Sequence, residues 1–454
     1  MHLIRLSRSV VNLQKITMEL QLDIEEWNRT PEAVRNFTAT ILKEFSTLSQ
    51  VITSERQAHA RLLCNLLKIL PETNKRNQIP NKEPNRQVVL VSDRPSTRLA
   101  KIAYGLTQAG LEVILLYRDE LDFNFDFFSA QYQYSSPAEA VLLASLFSPI
   151  TFHVFSSGNF DTAIQLINAK VGKITFDNYD QFGGMILPIQ EQQVHIQKMI
   201  QQEKYCLENA DAICNRALSL QIAKKQLKYQ TSKHQIFFPE YCWDKAFRLT
   251  PKLTDGIHVV FAGNFSAKDF YSNPSIGIFD KAFIESLTSR GIHYHLYPPK
   301  SPNEDEYQRE YKDYIQLSNT NKFFHFHRFV PPEELLTEIS QYHIGISSRS
   351  KHAINYGDVF YNTNAMKYFC ANKAFDYLDA GLEIIFGGAQ LMEWLLKRSA
   401  GCRALWSDDI GPHLAQKDIT HFTNESCTKR ISDGRKKLSI SSQIPRLISF
   451  YESL

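Results

Sequence analysis

Residues 257–265 read IHVVFAGNF, a short apolar run interrupted only by His258 and closed by Gly263-Asn264. A near-continuous apolar run of this length is the pattern of a central strand buried on both faces. A polar break at 252–256 separates it from what precedes it. Downstream, the pattern predicts a helix near 279–288, a turn at Gly291, and strands over 293–297, 323–329, 343–347 and 382–386. Upstream, the same alternation has already run once. Strands are expected over 88–92, 111–117, 152–155, 173–176, 211–214 and 235–238, with a helix over 97–108 closed by Gly110. Strand–helix alternation builds a mostly parallel sheet covered on both faces, and here it does so twice.

The expected fold is α/β, two Rossmann-like domains facing a cleft, with an N-terminal helical extension. The expected boundaries are 1–86 for the extension and linker, 87–250 and 251–428 for the two halves, and 429–454 for a C-terminal helix. Ligands of such folds lie at the carboxyl ends of the strands, here between the halves. In the extension, Thr30-Pro31-Glu32 is a helix start, and Phe37, Ile41, Phe45, Leu48 and Ile52 recur at helical spacing. Pro71 stops the stripe, and the polar 72–86 reads as a linker. Residues 30–70 suit either an oligomer contact or a helix packed on its own chain. The basic, partly apolar end of the chain (Lys429, Arg430, Arg435, Lys436, Lys437, Arg446 with Ile444, Leu447, Ile448) suits either peripheral contact with an anionic membrane or a helix folded back on the first half.

Composition removes several classes. Lys+Arg 51 against Asp+Glu 48 leaves a charge of +3, too balanced for a nucleic-acid binder. Seven scattered cysteines without a C-x-x-C pair argue against disulfides or a zinc module and fit a reducing compartment. No run approaches the ~18 apolar residues of a membrane span, and 1–20 lacks the apolar block of a secretory leader. A cytoplasmic protein is expected, with contact at the inner face of a membrane left open. The first strand is followed by Asp93-Arg94-Pro95-Ser96-Thr97-Arg98, not by a glycine-rich dinucleotide loop, and no G-x-x-x-x-G-K-S/T phosphate loop occurs. A dehydrogenase and a P-loop ATPase are thereby disfavoured.

IHVVFAGNF (257–265), FFHFHRFVPPEELLTEISQYHIGIS (323–347) and NKAFDYLDAGLEIIF (372–386) fall in the order and spacing of GT-B glycosyltransferases. They resemble the donor domain of bacterial cell-surface polysaccharide transferases. The third segment matches a pattern Lys-x-x-Glu-Tyr-Leu-Ala-x-Gly-x-Pro-Val-Ile through Lys373, Asp376, Tyr377, Leu378, Gly381, Ile384 and Ile385. KITFDNYD (173–180) and CLENADAICNRAL (206–218) resemble the acceptor domain more loosely, for a likeness over about residues 87–410. The resemblance implies a transferase that moves a sugar from a nucleoside-diphosphate donor to a glycan, lipid-linked or protein acceptor, with no metal or other cofactor.

It also assigns roles. Asp376 takes the place of the ribose-binding acid, and a carboxylate at a helix start can accept two hydrogen bonds from a diol. Lys373 and the free N–H groups of the same helix would face the diphosphate. Gly263 permits close backbone approach, and Asn264 stands where relatives carry an arginine, so neutralising the leaving diphosphate would fall to Lys268, Arg349 or Lys351. Tyr368 replaces a second acid and Glu383 a proline. On the acceptor side a general base is needed, and Asp177, Asp180 and His153 are the candidates. Asp93 and Arg94 stand where relatives have a glycine-rich acceptor loop. The H-x-H pairs His293/His295 and His325/His327 lack a local acid or cysteine and read as core histidines rather than metal ligands. Two rivals share the fold: a nucleotide-sugar epimerase, and a domain that has lost catalysis and serves binding or assembly.

Overall fold

The computed structural model describes residues 86–119, 127–156, 158–187, 193–218, 220, 224, 228–232, 234–243, 248–271, 277–301, 303–349, 355–356, 359–361 and 367–454. The helical pattern over 30–70, its linker and Lys351 lie outside the described residues.

The first half is built on β1 (Gln87–Ser92), β2 (Glu112–Tyr117), β3 (Ala130–Gln133), β4 (Thr151–Phe155), β5 (Ile174–Asn178), β7 (Ala212–Asn215) and β8 (Gln235–Phe237). All are parallel, in the order β3-β2-β1-β4-β5-β7-β8. Every residue of β1 is buried, which is why its sequence shows an unbroken apolar run and no alternation. The Thr97–Gln108 helix starts where the Ser96 hydroxyl accepts the Leu99 N–H, and the chain turns out of it at Gly110 with φ +81°.

The second half repeats this plan with β9 (His258–Ala262), β10 (His293–Tyr297), β11 (Phe324–Phe326), β12 (Ile344–Ser347), β15 (Glu383–Phe386) and β16 (Arg403–Ala404). The order is β11-β10-β9-β12-β15-β16, again all parallel. The helix expected near 279–288 spans Lys281–Thr288, because the Asp280 carboxylate accepts the Phe283 N–H and sets its start two residues later. In each sheet the chain reverses direction across the order between its first and fourth strands, and the crevice at that switch point is where ligands of such folds bind.

Two features join the halves. A small antiparallel sheet combines β13 (Asn355–Tyr356) and β14 (Val359–Tyr361) of the second half with β6 (Ile186–Leu187) of the first. The last two long helices cross between the halves. Glu425–Lys437 packs on the Gln390–Ala400 helix, where a Cβ on Gly434 would lie 2.5 Å from that of Ala400. Ile440–Glu452 then buries Ile440, Ile444, Leu447, Ile448 and Tyr451 on the first half, against the Thr97–Gln108 helix. Gly105 makes that approach possible, since a Cβ there would sit 2.8 Å from Ile440. Among the described residues no helix is long and apolar enough to cross a membrane.

Candidate functional site

At the carboxyl end of β9 the chain turns through Gly263, whose φ of +146° favours glycine. A side chain there would also collide with Lys373, since a Cβ would lie 3.0 Å from its Nζ. Lys373 comes from the first turn of the Asn372–Asp379 helix and places its ammonium 4.0 Å from the centre of the Phe261 ring. Among the described residues nothing pairs with it by hydrogen bond or ion pair. Burial, reinforced by Arg349 and opposed by Asp376, pulls its pKa down to about 7. The helix it belongs to begins at Ala371 without a side-chain cap and has no acid in its first turn. A desolvated cation, uncapped N–H groups and a bare glycine thus converge on one spot, which is the composition of an anion site.

The other expected donor residues lie around it. Arg349 follows β12, and its side chain packs where a Cβ on Gly388 would stand, 3.2 Å from the Arg349 Cβ. Asn264 is exposed, and so is Lys268 on the short Ala267–Phe270 turn that Ser266 and Asp269 cap. Tyr368 is partly exposed, and its carbonyl accepts the Leu218 N–H from the first half.

Asp376 lies one turn along from Lys373, and its partner comes from the first half. Lys101 Nζ donates to its Oδ1 at 2.7 Å. The same helix makes four more such bonds, three to the first half and one to the Glu425–Lys437 helix. Asn372 accepts from Arg216 (3.1 Å) and donates to the Tyr179 hydroxyl (2.9 Å). Asp379 accepts the Trp243 N–H (2.8 Å) and Arg435 Nε (2.9 Å). Burial, offset in part by Lys101 and Arg435, pushes the Asp379 carboxyl up to about 7. Burial alone would lower the Lys101 pKa, but Asp376, Asp379 and Glu240 outweigh it and hold it above the usual lysine value. Sequence reasoning missed Lys101, Arg216, Tyr179 and Trp243. The one available signal was a lysine and an arginine, Lys101 and Arg98, on the buried face of an amphipathic helix.

The acceptor-side expectation needs correction. Asp177 and His153 are completely buried and belong to the interior of the first half. Arg98 Nε and Nη2 hold the Asp177 carboxylate at 3.0 Å each, His153 Nε2 lies 3.2 Å away, and Tyr451 closes over His153 at 2.5 Å. Burial pushes the Asp177 carboxyl up, yet Arg98 and His153 overcome it and hold it at about 2. Sealed inside the first half and held by these partners, neither side chain is placed to take an acceptor proton in this structure. Asp180 is better placed, partly exposed, but its carboxylate receives Arg216. Asp93 is likewise internal, accepting the hydroxyls of Tyr134 (2.8 Å) and Thr162 (2.7 Å).

The histidines form a ladder on one face of the second sheet. His327 Nε2 bonds His295 Nδ1, His295 Nε2 bonds His258 Nδ1, and His258 Nε2 bonds Asp255, at 2.9, 2.9 and 2.8 Å. His293 and His325 make a second rung at 2.9 Å. Asp255, His258 and His293 bring three possible ligand atoms within 4.8 Å. The His258 and His293 rings, however, stack 4.2 Å apart and nearly parallel, so their in-plane lone pairs do not converge on one ion.

No protein-family profile and no curated protein sequence matches this chain. Solved structures do. The chain resembles sucrose-phosphate synthase from Thermosynechococcus elongatus, with a TM-score of 0.52 and 12% identity over 81% of this chain and 98% of that one. Anabaena HepE in complex with UDP and glucose gives 0.51 and 9%, over 81% and 100%. The catalytic domain of Arabidopsis thaliana starch synthase IV, bound to ADP and acarbose, gives 0.52 and 10%, over 81% and 99%. Two Rossmann-like halves in this order, with the C-terminal helix returned to the first, define the GT-B architecture, and this chain has it.

Proposed function

We propose that this chain is a glycosyltransferase, taking a hexose from a nucleoside-diphosphate sugar and passing it to a glycan, lipid-linked or protein acceptor without a metal or other cofactor. The observation that carries the reading is Lys373. A protein rarely leaves a lysine half-buried and, among the described residues, unpaired beside a glycine turn and an uncapped helix start, because desolvating the charge is costly. A diphosphate supplies the missing counter-charge, and the departing nucleotide is where negative charge develops in glycosyl transfer. The complexes of HepE with UDP and glucose and of starch synthase IV with ADP and acarbose support a nucleotide as the ligand. A cytoplasmic location fits, the exposed Lys429, Lys436, Lys437 and Arg446 allowing peripheral contact with an anionic membrane.

The experiment is a thermal-shift screen against UDP, ADP, GDP and CDP, followed by nucleoside diphosphate release from the matching sugar donors. A ligand that binds only the native state raises its melting temperature by mass action. Absence of any shift at millimolar nucleotide would sink the reading. A second reading, a GT-B domain that binds nucleotide without transferring sugar, is favoured by the sealing of Asp177 and His153. It predicts a nucleotide shift with no release from any donor.

A further inference from the structure

We propose that Lys101, a residue of the first half, is a positioning residue for the nucleotide site of the second, orienting the Asp376 carboxylate so that its open oxygen meets the ribose diol. The proposal rests on the reading of Asp376 as the ribose acceptor.

The geometry divides the pair into a hidden and an accessible member. The Lys101 side chain is 2% exposed and that of Asp376 23%, so a ligand in the cleft meets the carboxylate and never the ammonium. Lys101 therefore acts through Asp376. It bonds Oδ1 alone, and among the described residues no hydrogen bond reaches Oδ2, which remains to accept from a hydroxyl.

The surroundings explain why this carboxylate needs an organiser. Asp379 lies one turn further on the same helix and is fully buried, and Glu240 faces the same ammonium from the first half. Without Lys101, Glu240 would keep Arg98 and Arg216 and Asp379 would keep Arg435, but Asp376 would be left beside the Asp379 carboxylate with no cation of its own, an arrangement that favours turning it away. The Lys101 side chain is almost wholly shielded from solvent, with the Trp243 ring 5.8 Å from Nζ, so bulk water does not replace its charge. An ionised, fixed carboxylate is a far better acceptor for a diol than a protonated or rotating one. Ribose binding would then require both halves, because the acceptor comes from one and its orientation from the other.

A purely structural lysine would weaken binding of every nucleotide alike. A positioning lysine affects the ribose contact specifically, so the test reads ribose selectivity. Calorimetry would give the dissociation constants of the tightest binder among UDP, ADP, GDP and CDP and of its 2′-deoxy counterpart. In the unmodified chain the deoxy form should bind about ten-fold or more weaker, the worth of a charge-assisted hydrogen bond. In Lys101→Gln that ratio should fall toward one, as in Asp376→Ala. Because Lys101→Gln leaves an unbalanced buried charge, Lys101→Gln/Asp379→Asn is the second variant, removing one charge of each sign; it should lose the ratio too.

If Asp376→Ala loses the ratio while the lysine variants, folded by their melting curves, retain it, the proposal is overturned and the ribose reading stands. If the lysine variants weaken both nucleotides equally, Lys101 merely joins the halves and the proposal is again overturned. If Asp376→Ala itself retains the ratio, the ribose reading falls first.

Discussion

Lys373 gives the sharpest test of the site, because its charge state is set by its surroundings and its role by its charge. Burial brings its pKa from the usual 10.5 to about 7, so in the free protein the ammonium is half deprotonated at neutral pH. A diphosphate prefers the protonated form. Only the competent fraction counts toward apparent affinity, and for a pKa near 7 that fraction falls from about one half at pH 7 to about one hundredth at pH 9. Nucleotide affinity should therefore fall by up to about fifty-fold over this window, which lies above the phosphate's own titration near pH ~6. Above pH 7 binding must also take up a proton, so the calorimetric enthalpy should depend on the ionisation enthalpy of the buffer.

Lys373→Met should remove both the pH dependence and the proton uptake, and cost about ten- to one-hundred-fold in affinity at pH 7. It should also stabilise the unliganded protein. The displacement of the pKa corresponds to at most about 5 kcal/mol at neutral pH, and at this half-buried site solvent screening reduces that to about 1–2 kcal/mol. A lysine that only held the fold would show the opposite sign. Affinity that is flat between pH 7 and 9, or a Lys373→Met variant that melts earlier and binds normally, would refute the anion-site assignment.

Three further outcomes are expected. Acid should weaken the second half: below about pH 6.5 the unfolded chain protonates its histidines, while burial holds the His295 imidazole well below its usual value and His343 at about 4, so each of these two rings should cost up to about 2 kcal/mol of stability at pH 5, checked by urea unfolding at pH 7 and pH 5. Asp177→Asn should cost about 1.5–3 kcal/mol by removing the closest counter-charge of buried Arg98, which keeps Glu240 and the Phe238 and Pro239 carbonyls, yet leave nucleotide affinity intact at low temperature; normal stability with loss of sugar transfer would restore a catalytic role. Gly345→Ala should fail to fold or melt far earlier, because its Cβ would stand 2.2 Å from Tyr377 Cγ, and circular dichroism of the purified variant decides it.

The two sheets were legible because their central strands are buried on both faces and so appear as unbroken apolar runs, as in β1 and β9. The strands that escaped reading are the short or polar ones. Ala130–Gln133 is AQYQ, and β6, β13 and β16 are two residues long, so partners rather than composition decide them. The helix start at 372 and Gly263 were readable as a place where an anion could bind. Lys101 was not, because the partner that gives it meaning lies 275 residues away. The same blindness misassigned Asp177: an acid at the carboxyl end of a strand looks like a cleft residue. Only the fold shows Arg98 beneath it and, through His153, Tyr451 from the far end of the chain.

The three departures from the glycosyltransferase pattern now carry unequal weight. Glu383 replaces a proline, but its carboxylate is buried and receives Arg403 Nε at 2.7 Å and Arg430 Nη2 at 3.3 Å. Arg430 belongs to the Glu425–Lys437 helix, so the change ties β15 to the segment that leads back to the first half and concerns assembly rather than chemistry. Tyr368 gives its carbonyl to Leu218, another tie between the halves, and leaves its ring partly exposed at the rim. Only Asn264 touches the question of leaving-group charge, and it lies next to Gly263, against which Lys373 packs. Relatives carry an arginine at the Asn264 position in addition to the lysine that Lys373 matches, so on the proposed function Lys373 neutralises the diphosphate without it. A cation on that helix can still neutralise the diphosphate, provided the helix stays put, and Lys101, Arg216, Tyr179 and Arg435 hold it from both sides. On the proposed function, the cross-domain ties serve to keep the helix that carries Lys373 rigid through contacts from both halves.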